Sequence, residues 1–68
     1  MITLPVNDAQ ELWHDLLTSA QGTMPTEVAT APRYRALAQE LRQCKGSKEY
    51  VELTPELVEI ASKFGYIG

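Results

Sequence analysis

Cys44 is the only cysteine in the chain, so no internal disulfide can staple a domain built from 68 residues. At that length folding hides only about 60% of the surface that the unfolded chain exposes, and small domains commonly compensate with disulfides, a metal or oligomerisation. Whatever holds this chain must come from the packing of amphipathic elements, from a second copy or from a partner. A hydrophobic share of 44% against 22% charged residues places it among globular domains and apart from disordered segments. One small domain over residues 1–68 is the expectation.

Three apolar stripes are available for that packing. Ala9, Leu12, Trp13, Leu16, Leu17 and Ala20 recur at the i, i+3, i+4, i+7 spacing that lines one side of a helix, which predicts a first helix over about residues 8 to 21. Asn7 or Asp8 would cap its start and Gly22 would permit its stop. The segment QGTMPTEVATA, residues 21–31, then reads as a connector with at most one helical turn around 26–29, and Met24 and Val28 would fold back on the core. Proline suits a first helical position, so a second helix is expected from Pro32 to near Gly46, with Tyr34, Leu37, Ala38, Leu41 and Cys44 as its apolar side. The third runs from the Thr54 cap and Pro55 through Leu57, Ile60, Ala61 and Phe64 to a stop at Gly65, with Tyr66 and Ile67 packed back on it.

Two short stretches favour extended chain. EYVEL, residues 49–53, places Val51 and Leu53 on one side, and ITLPV, residues 2–6, is its natural partner, held to an edge by Pro5. The expected fold is a mostly helical α+β domain in the order β-α-α-β-α, with three short amphipathic helices and a two-stranded ribbon; the alternative is an all-α three-helix domain.

Charge is distributed in bands within a net charge of −3. Residues 1–30 carry Asp8, Glu11, Asp15 and Glu27 with no lysine or arginine, and residues 49–68 set Glu49, Glu52, Glu56 and Glu59 against Lys63 alone. Between them, APRYRALAQELRQCKGSK holds five of the six basic residues. At 100° per residue Arg35, Gln39 and Arg42 share the side opposite the apolar stripe, and Lys45 and Lys48 extend it. These five are the expected partner-binding residues.

The chemistry of single residues points away from catalysis. His14, the only histidine, falls opposite the stripe of its helix with no second catalytic group at a recognisable spacing. It also lacks the three or four converging ligands that zinc requires. Cys44 lies on the apolar side near a helix C-terminus, whose negative end opposes a thiolate, and reads as a small hydrophobe. Glu56 with Glu59, and Glu11 with Asp15, are first-turn and solvent-face charges, and the four glycines are isolated stops with no phosphate loop. The reading has no catalytic residue, metal or cofactor.

That leaves a non-enzymatic protein-binding regulator, adaptor or inhibitor, of the kind accessory or phage-borne genes encode, which occupies a surface of a larger partner. The alternative is a small dimeric DNA- or RNA-binding regulator using the basic helix 32–45. Acidity overall, the lack of a short turn before that helix and the absence of an aromatic beside its arginines argue against it. A homodimer would bury spare apolar surface, and a subunit folded only within an assembly is a further reading. The start MITLPVNDAQ has no basic and apolar pattern of a secretory signal, no run approaches the roughly 20 apolar residues of a membrane span, and the lone thiol suits a reducing compartment. A cytoplasmic location is expected.

Overall fold

Leu12, Leu16 and Leu57 are fully buried and Leu4 almost so, and around them the elements run β1 (Thr3–Pro5), α1 (Val6–Ala20), α2 (Pro25–Gln43), β2 (Tyr50–Glu52) and α3 (Pro55–Lys63). This is a computed structural model describing residues 2–21 and 25–67, the side chains of 25–30 excepted. The order β-α-α-β-α and the antiparallel ribbon decide for the α+β fold over the all-α alternative.

Helices α1 and α2 form the main layer. Ala9, Leu12, Leu16 and Ala20 from one meet Ala31, Tyr34, Leu37, Ala38 and Leu41 from the other, and the small alanines let leucines fill the space between. Leu57, Ile60 and Ala61 of α3 complete the core, with Tyr34 and Phe64 packed edge to face at 6.1 Å. Among the described residues no polar or charged side chain is buried.

Both helix starts on that layer differ from the expectation. Helix α1 begins at Val6, directly after Pro5, and neither Asn7 nor Asp8 caps it; they lie inside its first turn. Its leading donor is satisfied from outside the helix, by a Val6 N–H bond to the Glu49 carbonyl at 2.9 Å. The ribbon thus supplies what a capping side chain would have supplied. Helix α2 begins at Pro25, not Pro32, so most of the expected connector is helical and Pro32 lies within the helix. Pro32 removes one N–H from the ladder, but Ala31 just before it is buried in the core. The helix ends at Gln43, short of Gly46. The stop expected at Gly22 and the packing expected of Met24 and Val28 fall outside the described residues.

Helix α3 carries its own signals. Thr54 Oγ1 accepts from Leu57 N–H at its start, with Pro55 in the first turn. At its end Gly65 has φ 88°, Gly65 N–H donates to the Ser62 carbonyl at 3.1 Å and Tyr66 N–H to the Ala61 carbonyl at 2.9 Å. That pair of bonds is a Schellman closure, which requires a left-handed residue where glycine stands.

The ribbon pairs Thr3 with Glu52, Leu4 with Val51 and Pro5 with Tyr50. A further segment lies along its far side. Residues 45–47 return along β2: Gly46 bridges Val51, Glu52 N–H donates to the Lys45 carbonyl at 2.8 Å and Ser47 N–H to the Tyr50 carbonyl at 2.8 Å. Ser47 Oγ accepts from Glu49 N–H and Tyr50 N–H, closing a tight turn with Lys48 at its tip. A Cβ at Gly46 would collide with the Tyr50 carbonyl oxygen and lie 2.9 Å from Val51 Cα. Gly46 is therefore a close-approach glycine and not a helix stop.

Candidate functional site: the cleft between α1, α2 and the ribbon

Where α1 and the C-terminal half of α2 meet the ribbon, they leave an open cleft of about 560 Å³. Val6, Ala9, Leu41, Cys44 and Val51 line its floor, while Trp13 and Arg42 stand beside them with Gln10 and His14. The Arg42 guanidinium lies 5.4 Å from the centre of the Trp13 ring, which is half-buried. Such stacking is electrostatic, cation on ring face, and is worth about 0.5–1 kcal/mol at an exposed site.

Local sequence explains the pairing. Leu12 and Leu16 lie at the centre of the α1 stripe and are fully buried, whereas Trp13 falls on its margin, toward α2. A large ring on a margin is covered only on one side by the core. Arg42, exposed on α2, covers part of the rest with its planar cation. The expectation that no aromatic stands beside the arginines is therefore overturned: Trp13, assigned to the core, reaches Arg42.

The other expected binding residues are distributed as follows. Arg35 and Gln39 are exposed on α2 with Arg42, whereas Lys45 and Lys48 lie beyond its end, exposed on the returning segment and at its turn. Of the five, only Arg42 lines the cleft. Gln10, His14, Trp13, Cys44 and Val51 carry no sequence signal that joins them at this site, apart from the marginal place of Trp13 on the helical wheel.

A second depression of about 500 Å³ adjoins the first along α1 and shares Gln10 and His14 as walls. Glu11, Asp15 and Tyr66 line it. The Tyr66 hydroxyl donates a hydrogen bond to Asp15 Oδ2, joining the C-terminal tail to α1. That bond, with some loss of water and the nearby carboxylates of Asp15, Glu11 and Asp8, pushes the Tyr66 pKa up to about 12.

Cys44, on the cleft floor, donates its thiol hydrogen to the Glu40 carbonyl at 3.2 Å. Burial pushes its pKa up, opposed by a hydrogen bond with the Thr54 backbone and aided by the Glu40 carboxylate. The thiol is the dominant form at neutral pH, which is the opposite of an activated nucleophile. His14 is exposed. Among the described residues no group of three His, Cys, Asp or Glu gathers as a metal site, and no helix is long and apolar enough to cross a membrane.

No protein family matches the chain, and neither a curated protein nor a solved structure does.

Proposed function

We propose that this protein is a small non-enzymatic regulator, adaptor or inhibitor that works by occupying a surface of a larger protein, and that it does so with the α1–α2 side carrying Arg35, Gln39, Arg42 and the Trp13 cleft. The observation that carries this reading is the Arg42–Trp13 pair at the mouth of an open, largely apolar cleft. Arginine and tryptophan are the residues most enriched among those that dominate protein interfaces, and they act from pockets that exclude water. The exposed basic stripe beside the cleft would steer the encounter, and its outer members would add rate more than affinity.

The test is charge reversal on that side. Arg35→Glu is expected to shift stability by less than about 0.5 kcal/mol, because the residue is exposed and away from any cap. Arg42→Glu adds the loss of the ring contact, about 0.5–1 kcal/mol. The double variant should thus melt as a folded protein close to the wild type, yet fail to retain the stoichiometric partner that the wild type recovers from a lysate of its native host. Wild-type protein that recovers no such partner, or a double variant that retains it fully, defeats the reading.

The nucleic-acid alternative gains support from one observation, the aromatic ring that does stand beside Arg42. It requires retention on heparin and a mobility shift with mixed DNA or RNA that weakens steeply with salt. A net charge of −3 disfavours it.

A further inference from the structure

The two adjoining depressions on α1 differ in charge, and the difference runs in one direction. No carboxylate lines the first, whose one formal charge is the Arg42 guanidinium above apolar walls. The second is lined by Glu11 and Asp15 and by no lysine or arginine. Gln10 and His14 belong to both, so the surface passes from cation over an apolar floor to carboxylates along one side of a single helix. One of the two Asp15 carboxylate oxygens accepts from Tyr66, whereas Glu11 is exposed.

We propose that the occupant of this surface is a bipolar segment of a partner protein: an apolar anchor seated against Trp13, Leu41 and Val51, with an acidic residue beside it at Arg42 and a basic residue beyond it at Glu11. This rests on the protein-binding reading above and names the chemistry of the partner. An apolar anchor alone would leave Arg42 and Glu11 facing uncharged surface, and a uniformly charged segment would set like charges together at one end or the other. Juxtaposed like charge is a stronger source of discrimination than added attraction. The volume of the first depression suits one or two large side chains, since clefts of about 300–1,000 Å³ hold drug-sized groups.

Trp13 is the only tryptophan, so its fluorescence reports the cleft directly. The probes are capped, tryptophan-free peptides with a Phe-Leu anchor: two glutamates on one side and two lysines on the other, in both chain directions, then glutamates on both sides, lysines on both sides, and a bipolar peptide with Ser-Ser in place of the anchor. Titrated into the full chain, the better bipolar peptide should bind about fivefold tighter than either uniform one, the order expected of one well-placed ion pair at the rim. Arg42→Gln should erase its advantage over the all-lysine peptide, Glu11→Gln its advantage over the all-glutamate peptide, and Arg33→Gln, exposed on α2 outside both depressions, should change neither. Equal binding of the three anchored peptides, equal binding of the serine peptide, or no response of Trp13 overturns the bipolar occupant. So does sedimentation showing a dimer that Arg42→Gln dissociates, which would seat a second copy there. The lysate experiment is independent: a partner lost on charge reversal while no peptide engages refutes this inference and leaves the protein-binding reading standing.

Discussion

The two flanks of α1 are closed by different means. Toward α2 and the ribbon, the Arg42 side chain covers part of the Trp13 ring that the core leaves open, and the cleft reaches β2 at Val51, which Gly46 of the returning segment bridges. Toward the tail, a Schellman closure at Gly65 turns the chain so that Tyr66 hydrogen-bonds Asp15. The first flank depends on close backbone approach and leaves an open apolar floor; the second depends on one residue's backbone sign and ends in a directional polar bond. A surface that must receive another molecule is better built the first way, because a cation over a ring can shift without leaving a buried donor unpaired.

Gly46→Ala should produce the largest effect. The new Cβ meets backbone and not a flexible side-chain end, so residues 45–47 must retreat from β2 and strain their bonds to Glu52 and Tyr50. Overpacking of this kind costs about 1–3 kcal/mol, against a total of roughly 3–10 kcal/mol for a domain of this length. Urea unfolding measures the loss, and Trp13 fluorescence should change in the folded baseline because Val51, which Gly46 bridges, lines the cleft with Trp13. An unchanged midpoint would mean that the returning segment is not held rigidly against β2.

Gly65→Ala comes next, and for a different reason. Nothing lies within 4 Å of the Cβ it would carry, so space is free and only the positive φ of 88° is strained. The cost is about 1 kcal/mol. D-alanine at the same position, introduced by chemical synthesis, should restore wild-type stability, since its preferred φ is positive. If D- and L-alanine cost the same, conformation is not what glycine provides there.

The smallest effect belongs to Tyr66→Phe, and pH sharpens it. A phenol whose folded pKa is raised from 10 to about 12 favours the folded state fully below pH 10 and loses that contribution as pH rises through 12. The melting-temperature gap between wild type and the phenylalanine variant should therefore be constant up to pH 10 and shrink between 10 and 12. A gap that persists at pH 12 would show that the hydroxyl's bond to Asp15 does not bias folding.

These flanks also show what a chain discloses residue by residue. Everything that bounds α3 is local: Thr54, Pro55, Gly65 and Tyr66 act on backbone groups a few residues away, and both ends were read as they stand. The start of α1 was not readable because its partner, the Glu49 carbonyl, lies in another element. Pro25 and Pro32 satisfy the same rule for a first helical position, so the rule alone does not choose between them; the helix starts at Pro25 and runs through Pro32 with Ala31 buried. Gly46 looked like one more isolated stop, since a close approach between backbones leaves no mark beyond the glycine itself. At the candidate site, the exposure of Arg35, Gln39 and Arg42 followed from helical spacing, whereas the ring under Arg42 depended on how α1 and α2 are turned toward each other.

The bond from Val6 N–H to the Glu49 carbonyl has a consequence for the order in which the chain assembles on emerging from a ribosome. Helix α1 is synthesised early, but until Glu49 has been added its leading amide can be satisfied only by water. Closing a loop of this size costs conformational entropy that grows only as the logarithm of its length, so the delay is set by synthesis more than by search. Helix α3, whose Thr54 cap and Gly65 turn need no distant partner, can take shape as soon as its own residues are free. Helix α3 thus carries its own start and stop signals, whereas the start of α1 waits for the 45–52 turn, which is made before α3, to finish it.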